Sequence, residues 1–385
     1  MFNIKKQIKR LYAASLFSNL SLSGAWVAIL ASRGFSLAQI GFAETVFHIV
    51  SLIFEIPSGA LADVFGRKKT LIISCIMRII ANMVMIASNN FALVCLSIAF
   101  QALNYNFMSG SDDALAYDSL KSVGEEEKFD KYVSNQLVIY RTCEGLSTLT
   151  AGFALVLGYK ISYASGVFFA LFQLYILLGL TEIRLDEPKE KSSVKSEIAE
   201  CFKQSFLFLK KESRTALLML ANSAVGALDI LLLFFLQAKL PMANIPNWAL
   251  GIALLVMQTG GMLGAKLALL CRKLNYYALF ALDMALLLVA IALEHTAIYA
   301  VMTLGGFLAT MSDDALQVRT NAILQQRFPS QQRATLISIE SFSFSIVMII
   351  LSPLAGIFFT HWENVAAGKN YPFACRFSLF CDSPK

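Results

Sequence analysis

Eleven apolar runs of 18 residues or more set the frame for anything this chain can fold into. They are Leu11–Ala31, Ala38–Leu61, Thr70–Ser88, Phe91–Asp112, Val133–Gly158, Ile161–Thr181, Thr215–Leu236, Trp248–Leu270, Tyr276–Leu293, Ala297–Leu316 and Thr335–Phe359. A run of that length crosses the hydrocarbon core of a bilayer as a helix. The bulk composition agrees: 57% of the 385 residues are hydrophobic, 15% are charged, and the mean hydropathy is +0.63. Soluble domains carry about a quarter charged residues. The expected class is therefore an all-α membrane protein. The first run follows KKQIKR but has no convincing small-residue cleavage site before the second, so it reads as a retained helix.

Several function classes drop out early. No basic stripe with interleaved aromatics lies outside the apolar runs, so nucleic acid is not expected as a partner. The seven cysteines show no zinc-ligand spacing, and His48, His295 and His361 do not cluster. No metal, cofactor or nucleophile constellation is expected, and the chain does not read as an enzyme.

Lysine and arginine orient the chain. With the N-terminus in the cytoplasm, the inner segments up to Arg333 hold 23 of them, against Arg33, Lys160 and Lys239 outside. Such a bias over short loops sets topology, and a cell-membrane location with a cytoplasmic N-terminus follows. The longest connection, 182–214, carries Val194, Ile198, Phe202, Phe206 and Leu209 at helical spacing, a linker helix along the cytoplasmic face. The tail 361–385 holds no further apolar run, so a last span is expected to be missing or degenerate, as a truncation or frame error would make it.

The pentapeptide SDDAL occurs at Ser111–Leu115 and again at Ser312–Leu316, 201 residues apart, near the ends of spans four and ten. That offset nearly equals the spacing between the starts of spans one and seven. A parallel repeat of six spans is a transporter pattern. The expected organisation is a first bundle at 1–181, a linker at 182–214, a second bundle at 215–360 and the tail 361–385.

Between spans two and three lies GALADVFGRKKTL, Gly59–Leu71. Gly59 and Gly66 permit a tight turn and close helix approach. Asp63 suits a helix N-terminus, and Arg67 suits a carboxylate partner. The stretch resembles the signature loop of the major facilitator superfamily through Gly59, Leu61, Asp63, Gly66, Arg67, Lys68 and Leu71. The resemblance implies two six-helix bundles related by a parallel pseudo-repeat, alternating access by rocking, and a cytoplasmic gate held in part by Asp63 and Arg67. The corresponding stretch of the second half, GGMLGAKLALLCRK, has Gly264 where the first has Asp63. Span five lacks the proline pattern usual in drug–proton antiporters of that superfamily.

Charge inside a bilayer is costly and is usually paired or functional. By helical rise, Asp112 or Asp113, Arg78 and Arg141 fall at one depth and could meet as a gate layer, with Asp118 nearby. In the second half Asp283, Asp313, Asp314 and Glu340 fall at a similar depth, with Arg319 as a local cation. Glu44, Glu55, Glu144 and Asp229 are candidates for facing a central cavity, with Glu44 and Asp229 in the outer half. A surplus of acids there suits proton coupling; the same acids could instead pair with loop arginines and close the gate. The expected function is a monomeric secondary active transporter for a small organic solute, proton-coupled and exporting. The alternative is a sensor or inactive protein on the same scaffold.

Overall fold

The computed structural model describes residues 2–183, 203, 206–270, 275–296, 298–327 and 333–366. The linker beyond Ile183, apart from 203 and 206–214, and the tail beyond Ala366 lie outside the described residues. Among those described, the chain is helical with no strand: α1 Ile4–Asn19, α2 Trp26–Ser32, α3 Leu37–Phe65, α4 Arg67–Ala87, α5 Phe91–Met108, α6 Ser111–Lys121, α7 Phe129–Leu149, α8 Ala151–Leu157, α9 Tyr159–Leu178, α10 Ser213–Met242, α11 Asn247–Leu270, α12 Tyr276–Glu294, α13 Tyr299–Arg327 and α14 Arg333–Ala366. Eight helical segments are long and apolar enough to cross a membrane. Local sequence starts several helices. Asn3, Asn90 and Asn275 each cap an N-terminus, their side-chain oxygens accepting from Lys6, Leu93 and Tyr277 N–H.

Two compact units emerge. The first holds the residues up to Phe35 and from Phe42 through α9. Its α4 packs on α5 and α9, and α1 on α9 and α7, around Leu11, Leu71, Cys75, Leu115, Tyr132 and Leu177. The second holds Ser36–Gly41 and α10–α14. There α13 is the central element, with α10, α11 and α12 against it and α14 on α10. Segment 36–41 is tied in by Ala38 N–H, which donates to Thr360 Oγ1 at 3.1 Å.

Three expected spans are not single helices. The first is broken between α1 and α2, and distant side chains satisfy the freed backbone groups. Arg78 of α4 donates to Phe17 O at 2.8 Å and Leu20 O at 3.0 Å. Ser147 donates to Ser21 O at 2.7 Å, and Leu22 N–H to Ser165 Oγ at 3.1 Å. A broken helix is tolerated at membrane depth only under such cover. Span five divides at Thr150 into α7 and α8, and span four at Gly110 into α5 and α6.

Gly110 has φ +72°, the left-handed conformation in which residues with a Cβ are strained. The first SDDAL therefore opens a new helix. The second lies at the middle of α13, an unbroken 29-residue helix that runs on past Leu316 to Arg327. The same five residues occupy equivalent places but different local structures. A second contrast concerns Gly264, where the signature aspartate is absent. Gly260 and Gly264 face α13 so closely that a Cβ on Gly264 would strike the Met311 carbonyl, and one on Gly260 the Phe307 carbonyl. Small residues four apart let helix backbones touch. There is no room at 264 for any side chain.

Two alanine substitutions separate these effects. Nothing lies within 4 Å of the point where a Cβ on Gly110 would stand, so Gly110→Ala should cost about 1–2 kcal/mol through backbone strain alone. Gly264→Ala should cost about 1–3 kcal/mol through overpacking, and Gly264→Asp should not yield a folded protein. Thermal unfolding of the purified variants in detergent measures all three.

Candidate functional site

In the first unit, the loop between α3 and α4 meets the end of α9. Gly66 precedes α4 with φ +98° and has no side chain to cap the helix. The free N–H groups of the first turn need an external acceptor. Glu182 supplies it: the two carboxylate oxygens accept from Arg67 N–H and Lys68 N–H, each at 2.9 Å. A carboxylate at a helix N-terminus is also favoured by the helix dipole. Arg67 Nη1 lies 3.4 Å from Asp118 Oδ2 of α6, and Lys68 Nζ donates to Leu178 O at 2.9 Å. Gln7 joins α1 to the same region, its amide donating to Thr181 O at 2.8 Å and accepting from Thr181 N–H at 3.1 Å. Gly66, Arg67, Lys68 and Asp118 thus come together as a clamp at one end of the unit. Gly59 and Asp63 lie on α3, and the Asp63 side chain is outside the described residues.

The gate layer expected from helical rise does not form. Arg78 is buried on the Phe17 and Leu20 carbonyls and on Gln173 Oε1, at 3.0 Å. Its donors close the break in span one, which apolar patterning does not reveal. Arg141 pairs with Glu144, three residues on, at 2.9 Å. Asp112 and Asp113 sit in the first turn of α6, where the helix N-terminus favours acids, and make no ion pair among the described residues. Glu44 pairs with His48 one turn away at 3.3 Å.

The second unit gathers acids. Asp229 of α10 lies within electrostatic reach of Asp313, Asp314 and Asp283. Asp229, Asp283 and Asp313 are each at most 5% exposed, and each has one carboxylate oxygen with no hydrogen-bond partner: Oδ1, Oδ2 and Oδ1 respectively. Gln317 donates to Asp313 Oδ2 at 3.0 Å, and Asn222 to Glu340 Oε1 at 3.2 Å. Asp229 is therefore level with the other acids rather than above them in the outer half. The reason is helix length: α10 and α13 run beyond their apolar runs, and both aspartates fall near mid-helix. No group of three or more metal-ligating side chains with metal geometry occurs among the described residues.

Sequence reasoning passes over one buried pair. Lys239, counted above as an outer-loop cation, lies inside α10, which continues to Met242. Its Nζ sits 3.7 Å from Glu294 Oε1 of α12 and 4.7 Å from the centroid of the Phe359 ring. Both side chains are buried. The signal in the sequence is a lysine only three residues beyond an apolar run, matched by an acid at the end of another. Glu182 escapes for a different reason: it reads as the first polar residue of the linker.

The sequence profile of the Major Facilitator Superfamily matches residues 11–350. An uncharacterized MFS-type transporter of Bacillus subtilis (strain 168), YxaM, is 26% identical over 145 residues, which is 37% of this chain and 35% of that protein. The chain thus matches only about a third of that relative's length. Among solved structures, the nucleoside transporter NupG aligns with a TM-score of 0.71 at 14% identity over 99% of each chain. A D-xylose-proton symporter aligns at 0.69 and 12% identity, over 98% of this chain and 94% of the other. A bacterial homologue of the iron transporter ferroportin, in an inward-facing state, aligns at 0.68 and 14% identity over 99% of each. At these identities the likeness is one of fold.

The buried Lys239–Glu294 pair gives a sharp stability test. Removing one partner leaves a buried charge alone and should cost about 3–5 kcal/mol, in Lys239→Met and in Glu294→Leu alike. Replacing both by apolar residues, Lys239→Met with Glu294→Leu, should recover most of that loss. Unfolding midpoints of the three variants give the coupling energy as a double-mutant cycle.

Proposed function

From the premise that this chain belongs to the Major Facilitator Superfamily, whose members are transporters, we propose that it exports a small organic solute by alternating access in exchange for protons. The observation that carries the proton reading is the acid group of the second unit. Asp229, Asp283 and Asp313 are buried near one another with unpartnered carboxylate oxygens. Several ionised carboxylates cannot readily share such a low-dielectric site, because each repels the others and burial costs each its hydration. At least one holds a proton when the site is closed. When the site opens to water, ionisation becomes favourable and the proton leaves. That exchange is what couples a proton gradient to a conformational cycle. The proposed setting is the cell membrane, with the N-terminus in the cytoplasm and the protein working as a monomer.

The clamp in the first unit supplies the second element of the reading. Glu182, Arg67, Lys68 and Asp118 join the end of α9 to α4 and α6. A charge-assisted set of this kind favours one arrangement of the helix ends and yields to another at modest cost. It fits a gate element rather than a solute site.

Proteoliposomes test the proposal. An inside-acid pH gradient should drive uptake of a transported compound from a panel of small organic solutes, by about tenfold accumulation per pH unit for one proton exchanged. An outside-acid gradient should not. In Asp313→Asn and Asp229→Asn, gradient-driven uptake should fall to background while solute–solute exchange persists. Uptake driven by an outside-acid gradient would mean symport and end the export reading. Gradient-driven uptake unchanged in both variants would end the role given to these acids, and no flux for any compound would favour a sensor.

A further inference from the structure

We infer that the first unit carries a binding wall for an organic cation, formed by Glu55 of α3, Tyr105 of α5 and Tyr140 of α7. This deepens the transport reading, on which it rests, by naming the chemical class of the solute.

The wall is located by its charges. On α7, Tyr140 and Glu144 are four residues apart and so share a face. Arg141 stands beside them, its guanidinium 5.6 Å from the Tyr140 ring centroid and bonded to Glu144 at 2.9 Å. The Arg141 side chain is 62% exposed. Lipid cannot solvate so exposed an ion pair, so we assign the face that carries it to water. Tyr140 is 44% exposed on that face, and Tyr105 is 53% exposed next to it. The Tyr105 ring packs at 5.9 Å against Phe47 of α3, which fixes its place between α3 and α5. Glu55, two turns along α3 from Phe47, is the acid neighbouring Tyr105.

The chemistry of this wall is one-sided. Glu144 is neutralised by Arg141, but Glu55 has no ion-pair partner among the described residues. Arg78 of α4 is turned into the protein on the Phe17 and Leu20 carbonyls. What remains is one uncompensated carboxylate beside two accessible tyrosine rings. Ring faces and a carboxylate together attract a cation with apolar bulk, such as a quaternary ammonium or phosphonium. A bare metal ion is a poor fit, because the described residues hold no group of three ligands for one. An anionic solute would meet Glu55 unshielded.

The full chain in detergent or lipid nanodiscs should bind tetraphenylphosphonium in a calorimetric titration with no pH gradient. Glu55→Gln and Tyr105→Ala should each weaken that binding by about tenfold, and Tyr105→Phe should restore most of what Tyr105→Ala loses, since the ring face persists. Uncharged triphenylphosphine oxide should be indifferent to Glu55→Gln. Thermal unfolding of each variant shows whether a loss of binding is a loss of fold; if Tyr105→Ala is unfolded, Glu55→Gln decides. Absent binding, or affinity unchanged in Glu55→Gln, overturns the cation site. Failure is separable from failure of the transport reading: binding without flux sinks transport and leaves the wall, and gradient-driven flux without tetraphenylphosphonium binding does the reverse.

Discussion

A polar group at membrane depth must find its partner within the protein, because the lipid offers none. Much of this structure follows from that rule. The break between α1 and α2 exposes the Phe17 and Leu20 carbonyls, and the Arg78 guanidinium covers both. The exchange is mutual: the carbonyls at the end of a helix carry partial negative charge, so a buried cation is held without a carboxylate. Glu182 does the mirror-image work at the start of α4, where an acid meets free N–H groups. Lys239 and Glu294 answer each other only electrostatically, as a buried ion pair at 3.7 Å. The carboxylates of Asp229, Asp283 and Asp313 stand apart from the rule, each with one oxygen that has no partner. What singles the group out is that these acids lie within electrostatic reach of one another.

The two halves obey the rule differently, although they repeat one pattern. In the first, SDDAL follows a left-handed glycine and heads a short helix whose dipole stabilises its acids. In the second, the pentapeptide is continuous with a long helix, and its acids sit among other acids instead. Divergence at Gly264 has an equally local cause. Once α11 and α13 touch backbone to backbone there, an aspartate has no volume to occupy. Packing thus excludes an aspartate from the position of the second half that matches Asp63.

The fold is legible in the sequence because hydrophobic length is a direct requirement of the bilayer. Of the eleven expected spans, eight are matched by helical segments long and apolar enough to cross a membrane, and the residue types of the Gly66–Lys68 stretch suit the helix start and the Asp118 contact found there. The breaks at 20–25 and at Gly110 are not legible. What permits them lies far away in sequence, in the reach of Arg78 or in a backbone angle, and neither alters the apolar pattern. Depth reckoned from the edge of an apolar run misplaces Asp229 and Lys239, since helices continue into polar sequence. Glu182 is hidden by its position at a boundary: a linker's first residue and a helix cap look alike in one dimension.

The contact at Gly260 and Gly264 carries a kinematic consequence. Where two helices interlock through bare backbone, sliding one past the other requires separating them first, since the neighbouring side chains act as detents on either side. The pair α11–α13 therefore behaves as a single lever. Any displacement of Met311 is transmitted to Gly264, and the aspartates two and three residues beyond Met311 ride on the same arm. Change in the surroundings of those acids must then come from outside the pair, and not from shear within it.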